Sequence, residues 1–130
     1  MKLIIYTDGA SRGNPGPASY GFVILDEQGK ILHKEGKYIG KNTNNVAEYR
    51  AVLAALQYVK DHLGTASGIE LLADSKLVAE QLSGRYKVKA PHLKPIIEKI
   101  KILSIEVGGV SYGHIPRSQN SLADSLANQA

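Results

Sequence analysis

The order of its hydrophobic periodicities constrains this chain most: strand-like stretches come first, and helical and strand-like segments alternate after them. Residues 3–8, 19–25 and 30–39 read as three strands, with Asn14-Pro15-Gly16 and Asp26-Glu27-Gln28-Gly29 as the turn signals between them. From about residue 45 to 63 the apolar positions Val46, Tyr49, Val52, Leu53, Leu56, Val59 and Leu63 keep a helical period, and Gly64 is a natural stop. A short buried strand over 69–73 and a short helix over 75–83 follow, ended by Gly84. Pro91 and Pro95 open a helix running to about Leu103, residues 110–115 form a last strand, and residues 119–128 a last helix. This order predicts an α/β fold: a mixed five-stranded sheet, a three-strand antiparallel meander plus two parallel strands, flanked by helices.

At 130 residues and 43% hydrophobic content, one domain over 1–130 buries a core without staples, and with no cysteine neither disulfides nor thiolate chemistry is available. The apolar start, Leu3-Ile4-Ile5, is too short for a signal-peptide core, and no run reaches membrane-spanning length. The expectation is a soluble, cytoplasmic monomer that does not enter a membrane. The net charge is only +4, yet residues 84–101 hold six basic side chains (Arg85, Lys87, Lys89, Lys94, Lys99, Lys101) against the single acid Glu98. Such a strip suits a polyanionic partner, although a solvated helix face is the commoner cause of a basic run.

Four acids draw attention. If the strand ending at residue 73 lies parallel to the first strand, Asp74 falls beside Asp8 at one sheet edge, at a strand spacing of about 4.8 Å. Each acid also has a bland reading. Asp8 could start a turn before Gly9, Asp74 could cap the following helix, Glu48 could close a capping box with Asn45, and Asp124 could be a solvated helix residue. Against these stands their conjunction: clustered carboxylates at the ends of apolar strands repel unless a cation or protons neutralise them. Hard oxygen ligands without cysteine favour magnesium or manganese over zinc.

Thr7-Asp8-Gly9-Ala10-Ser11-Arg12-Gly13-Asn14-Pro15-Gly16, then Thr43-Asn44-Asn45-Val46-Ala47-Glu48, then Ala73-Asp74-Ser75, then His114 with Asn120 and Ala123-Asp124 resemble the four motif blocks of type 1 ribonucleases H. They do so in the family's order and approximate spacing, from residue 3 to residue 128. The resemblance implies a ribonuclease H-like sheet and hydrolysis of the RNA strand of RNA/DNA hybrids, leaving 3′-hydroxyl and 5′-phosphate ends. Asp8, Glu48, Asp74 and Asp124 match the acids that bind two Mg²⁺ ions, with Mn²⁺ as a substitute. His114 matches a mobile histidine that assists the leaving group or product release. By the same resemblance Glu48 and groups around Ser11, Asn14, Asn44 and Asn45 would touch ribose 2′-hydroxyls, Gly9 is a further substrate contact, and Thr43 with Lys41 matches a pocket for a phosphate of the DNA strand. Lys76, Lys87, Lys89, Arg117 and Asn120 complete the expected substrate contacts.

The chain also departs from the family pattern. Lys76 stands where many relatives carry a polar amide, and Ala90 where an asparagine often completes the DNA-phosphate pocket. The segment between the helices ending near Ser83 and opening near Pro91 leaves no room for the extra helix and basic handle of some bacterial members. His114-Ile115-Pro116-Arg117 resembles a short-loop branch found among archaeal and some bacterial members, and no N-terminal hybrid-binding domain is expected. Two other functions fit the same fold: a non-catalytic hybrid-binding module, and a related nuclease or integrase acting on another nucleic acid. The intact acids argue against the first, since a pure binder gains nothing from negative charge set against phosphates. Asn14, Asn44 and Asn45, which have a role chiefly where a 2′-hydroxyl is read, argue against the second.

Overall fold

The computed structural model describes residues 1–87 and 90–130. The strands are β1 (Lys2–Ser11), β2 (Gly16–Asp26), β3 (Ile31–Asn42), β4 (Gly68–Ala73) and β5 (Ser111–His114), in spatial order β3-β2-β1-β4-β5. β1, β2 and β3 pair antiparallel, whereas β4 and β5 join β1 in parallel. Four helices cover the sheet: α1 (Asn44–Tyr58), α2 (Lys76–Leu82), α3 (Lys94–Glu106) and α4 (Ser121–Gln129). The mixed five-stranded sheet flanked by helices is the predicted architecture. Among the described residues no helix is long and apolar enough to cross a membrane.

Alternation along the strands sorts the sheet's two faces. Leu3 and Ile5 of β1, Phe22 and Ile24 of β2, and Leu71 of β4 point into one core, closed by Tyr49, Val52 and Leu56 of α1 and by Ile97 and Ile100 of α3. Each large side chain buried there contributes about 1.5–3 kcal/mol relative to exposure. α1 lies close against the sheet because Ala47, Ala51 and Ala55, one helical turn apart, present almost no side-chain bulk and are fully buried. On the other face α4 rides over a cross-strand pair of glycines, Gly21 and Gly36. A Cβ on Gly21 would sit 2.6 Å from the Ala123 carbonyl oxygen, and one on Gly36 2.4 Å from that of Leu126.

Where the structure departs from the sequence expectation, local hydrogen bonding explains it. β1 and β2 run on toward their connection because Arg12 N–H donates to the Pro17 carbonyl at 2.8 Å, closing a tight hairpin. The helical period read through residue 63 is continuous, but its last turn, Val59–Leu63, is a π-helix in which Gly64 N–H reaches back to Val59 at 2.8 Å. The final helix is interrupted: Arg117–Gln119 is a 3₁₀ turn, and Asn120, at φ −117° and ψ 28°, leaves helical geometry before α4 begins.

Candidate active site

The parallel register of β1 against β4 places the first two acids. Thr7 is paired with Ala73, so Asp8 and Asp74 follow one step later on adjacent strands, where β4 ends and β1 continues alone against β2. Such a point, at the carboxyl ends of parallel strands, is where open α/β sheets form crevices. The bland readings of these residues do not hold. Asp8 lies inside β1 rather than at a turn. The cap of α2 is Ser75, whose hydroxyl accepts from Val78 N–H at 3.3 Å, so Asp74 is free of that duty.

Glu48 arrives from α1. The cap there is Thr43, whose hydroxyl accepts from Val46 N–H at 3.2 Å, which leaves Glu48 outside any capping box with Asn45. Gly9 lets it reach the sheet: a Cβ at that position would lie 2.3 Å from the Ala47 carbonyl carbon and 2.4 Å from the Glu48 nitrogen. No other residue admits the helix so close to the strand. Asp8, Glu48 and Asp74 each offer a carboxylate oxygen within 4.8 Å of the other two. They floor a cleft of about 480 Å³ whose rim carries Ser11, Asn44, Asn45 and Arg117.

The electrostatics of this triad are unfavourable without a counter-charge. Asp8, only 5% exposed, has its pKa raised from 3.8 to about 7, first by burial, then by the charge of Asp74 and by a hydrogen bond shared with Asp124. Burial likewise holds Glu48 well above the usual carboxylate range, reinforced by the charges of Asp8 and Asp74 and only partly offset by the Gly9 N–H. Glu48 Oε2 is buried without a hydrogen-bond partner. Mutual repulsion, an orphaned oxygen and a donor set of oxygen atoms alone fit a hard divalent cation. Asp124, the fourth expected ligand, is not part of the triad. It approaches Asp8 from α4, and its Oδ1 lies 3.6 Å from the Arg117 guanidinium.

The remaining predicted residues divide. Ser11, Asn14 and Asn44 form one assembly: Asn44 Oδ1 accepts from Ser11 N–H at 2.8 Å and from the Ser11 hydroxyl at 3.0 Å, while Asn14 Oδ1 accepts from Asn44 N–H at 3.1 Å. The β1–β2 hairpin is thereby fastened to the start of α1. His114 ends β5 in register with Ala73, the residue before Asp74, and is exposed. Lys41 is exposed near the end of β3, and Lys76 is the exposed first residue of α2. Lys87 and Asn45 line a depression shared with Ala90. Lys89 lies outside the described residues.

Two expectations change on inspection. Asn120, read as a substrate contact, is buried at 1% exposure and spends its amide inside the protein. The basic strip is not one surface, since Lys99 faces a separate groove between α1 and α3 together with Lys60 and Glu106. Arg85 is paired with Glu80 at 3.2 Å. Sequence reading missed the close approaches at Gly9, Gly21 and Gly36, and the Arg117–Asp124 pair. Glycine inside a strand pattern is the signal that could have found Gly21 and Gly36.

A family profile described as Reverse transcriptase-like matches residues 6–130. The chain is 44% identical over 131 residues to the bifunctional protein Rv2228c of Mycobacterium tuberculosis, covering 100% of this chain and 35% of that protein. It is 43% identical over 129 residues to ribonuclease HI of Halobacterium salinarum, covering 99% of this chain and 64% of that enzyme. It thus spans about a third of the mycobacterial protein's length and just under two thirds of the halobacterial enzyme's. The solved structure of LC11-RNase H1, in complex with an RNA/DNA hybrid, superposes with a TM-score of 0.93 at 45% identity, covering 98% of this chain and 95% of that one.

Proposed function

The chain belongs to the type 1 ribonuclease H family, and from that membership we propose that it hydrolyses the RNA strand of RNA/DNA hybrids as a divalent-metal-dependent endonuclease. The observation that carries the reading is the convergence of Asp8, Glu48 and Asp74 within 4.8 Å beneath a rim of Ser11, Asn44 and Asn45. The acids alone would repel a phosphate. Set below groups able to bond a 2′-hydroxyl, they make sense as the holders of a cation against an RNA backbone.

In this reading Asp8, Glu48 and Asp74 hold Mg²⁺, or Mn²⁺ in its place, and Asp124 completes the set for a second ion. Such ions would supply charge neutralisation at the scissile phosphate and a lowered pKa for a bound water. The protein's own part is placement. The linked Ser11, Asn14 and Asn44 seat the RNA strand by its riboses, and their mutual hydrogen bonds organise them before substrate arrives. Lys87, which shares a depression with Asn45, draws the DNA strand's phosphates alongside, as do Thr43 and Lys41. His114, exposed and in register with the residue before Asp74, gives a proton to the departing 3′-oxygen or eases product away.

A substrate panel tests this. Matched RNA/DNA hybrid, double-stranded RNA and double-stranded DNA are incubated with Mg²⁺, Mn²⁺ or excess chelator. Cleavage of the hybrid's RNA strand, dependent on added metal and lost in Asp74→Asn, is the expected result. Full activity in chelator overturns the metal reading, hybrid binding without cleavage identifies a binding module, and cutting of DNA alone points to a related nuclease.

A further inference from the structure

The buried amide of Asn120 carries an inference that rests on the metal-holding reading above and deepens it. Asn120 precedes α4, a position where asparagine usually caps the helix with its side chain. Here it does not, for no side-chain cap bond is made to α4. Instead Nδ2 donates to the Thr7 carbonyl at 2.8 Å and to Asp74 Oδ2 at 3.2 Å, and the Asn120 backbone carbonyl accepts from Asp124 N–H at 3.0 Å. Thr7 immediately precedes Asp8. One residue therefore touches Asp74 itself, the peptide before Asp8, and the nitrogen of Asp124.

We infer that Asn120 is a positioning residue for the cation site, holding Asp74 in place against Asp8 and tying both to the helix that carries Asp124.

The chemistry of the contact selects the residue type. Both side-chain partners are acceptors, one a carbonyl and one a carboxylate, so the group between them must offer at least two N–H protons; a carboxylate oxygen in that place would face two oxygens. A lysine or arginine could donate, but its charge would neutralise Asp74 and compete with the cation. The neutral amide orients the carboxylate and leaves its charge available. Asn120 Oδ1 is meanwhile buried without a partner, a cost that a residue serving only to begin a helix would have no reason to carry. Without the amide, repulsion from Asp8 and Glu48 is free to turn Asp74 out toward the cleft. Partners of this kind, hydrogen-bonded to a metal ligand rather than to the metal, typically change metal affinity by about 10- to 100-fold.

The test is read on the free protein without nucleic acid. Mn²⁺ affinity is measured by calorimetric titration for wild type, Asn120→Ala and Ser19→Ala. Ser19 Oγ donates to the Ala127 carbonyl at the far end of α4, so Ser19→Ala loosens the same helix without touching Asp74. Asn120→Ala is expected to bind Mn²⁺ about 10- to 100-fold more weakly, and Ser19→Ala as wild type does. Wild-type affinity in Asn120→Ala, or an equal loss in Ser19→Ala, overturns the inference. If Asn120→Ala fails to fold, the unaltered protein decides by nuclear magnetic resonance. The Asn120 side-chain NH₂ should exchange slowly with solvent and shift on Mg²⁺ titration, and a rapidly exchanging NH₂ indifferent to Mg²⁺ refutes the role. A wild-type protein that binds no divalent ion refutes the metal reading itself, an outcome distinct from normal binding by Asn120→Ala.

Discussion

Replacing Asp8 with asparagine should abolish catalysis yet stabilise the metal-free protein, with a margin that depends on pH. In the fold the Asp8 pKa is raised from 3.8 to about 7, a gap of about three units, and each unit is worth about 1.36 kcal/mol. That sets a ceiling of about 4 kcal/mol on the cost of ionising Asp8 in place. The carboxyl borders an open cleft, so solvent screening leaves on the order of 2 kcal/mol. Because the folded pKa lies above the unfolded one, the native state holds the proton more tightly. Asp8's contribution to stability is therefore fully present below about pH 4 and is lost as pH rises through about 7. Burial and the same neighbours push Glu48 upward too, which steepens that decline. An asparagine has no proton to lose, and its NH₂ can donate to Glu48 or Asp124. Thermal unfolding followed by circular dichroism in chelator should find Asp8→Asn more stable at pH 8 by roughly 6–8 °C, and close to wild type at pH 4. Saturating Mg²⁺ should reverse the order at pH 8, since wild type gains about 2.7 kcal/mol at a hundredfold excess over its Kd and the variant loses a ligand. A margin that is absent at pH 8, or the same at both pH values, refutes the electrostatic reasoning.

Gly9→Ala should destabilise the fold by about 3 kcal/mol, because the new Cβ falls 2.3 Å from the α1 backbone; urea unfolding measures it, and a cost under 1 kcal/mol would show that α1 can retreat freely. His114→Ala should slow hybrid cleavage by about 10²- to 10⁴-fold while leaving it measurable, with a smaller loss in Mn²⁺ than in Mg²⁺; wild-type turnover from pH 6 to 9 in both metals would reduce His114 to an ordering residue of the Ile115-Pro116 turn. Lys87→Ala should weaken hybrid binding and lower the slope of log affinity against log salt by about 0.7–0.9, and an unchanged slope would mean that Lys87 meets only solvent.

Much of the fold was legible because its signals are local. The apolar runs within 3–8 and 19–25, the helical period from Val46 to Leu63, and the turn chemistry around Asp26, whose Oδ1 accepts from the N–H groups of Gln28 and Lys30, depend on residues a few positions apart. The nearness of Asp8 to Asp74 was legible for a related reason: each acid follows an apolar run, and parallel pairing of those runs, Thr7 beside Ala73, brings the acids together. Ambiguity remained where one residue type serves two purposes. Asp74 and Glu48 both occupied plausible capping positions, and only the structure shows Ser75 and Thr43 doing that work.

What the sequence determined by itself, then, is the set of elements, their order and the adjacency of Asp8 and Asp74 on neighbouring parallel strands. Tertiary structure decided how near those acids come, which hydrogen bonds hold them and what is left unsatisfied. Gly21 and Gly36 fall within segments read as strands and Gly9 was read as a turn residue and substrate contact, and all three become contact points only when a helix backbone rests on them. Asn120 read as a surface residue that meets substrate, and became a buried link 113 positions away from Thr7 and 46 from Asp74. Local pattern reports which face of an element is apolar. The partner met across the fold is set by packing distances and hydrogen-bond geometry between segments far apart in the chain, and no local period records them.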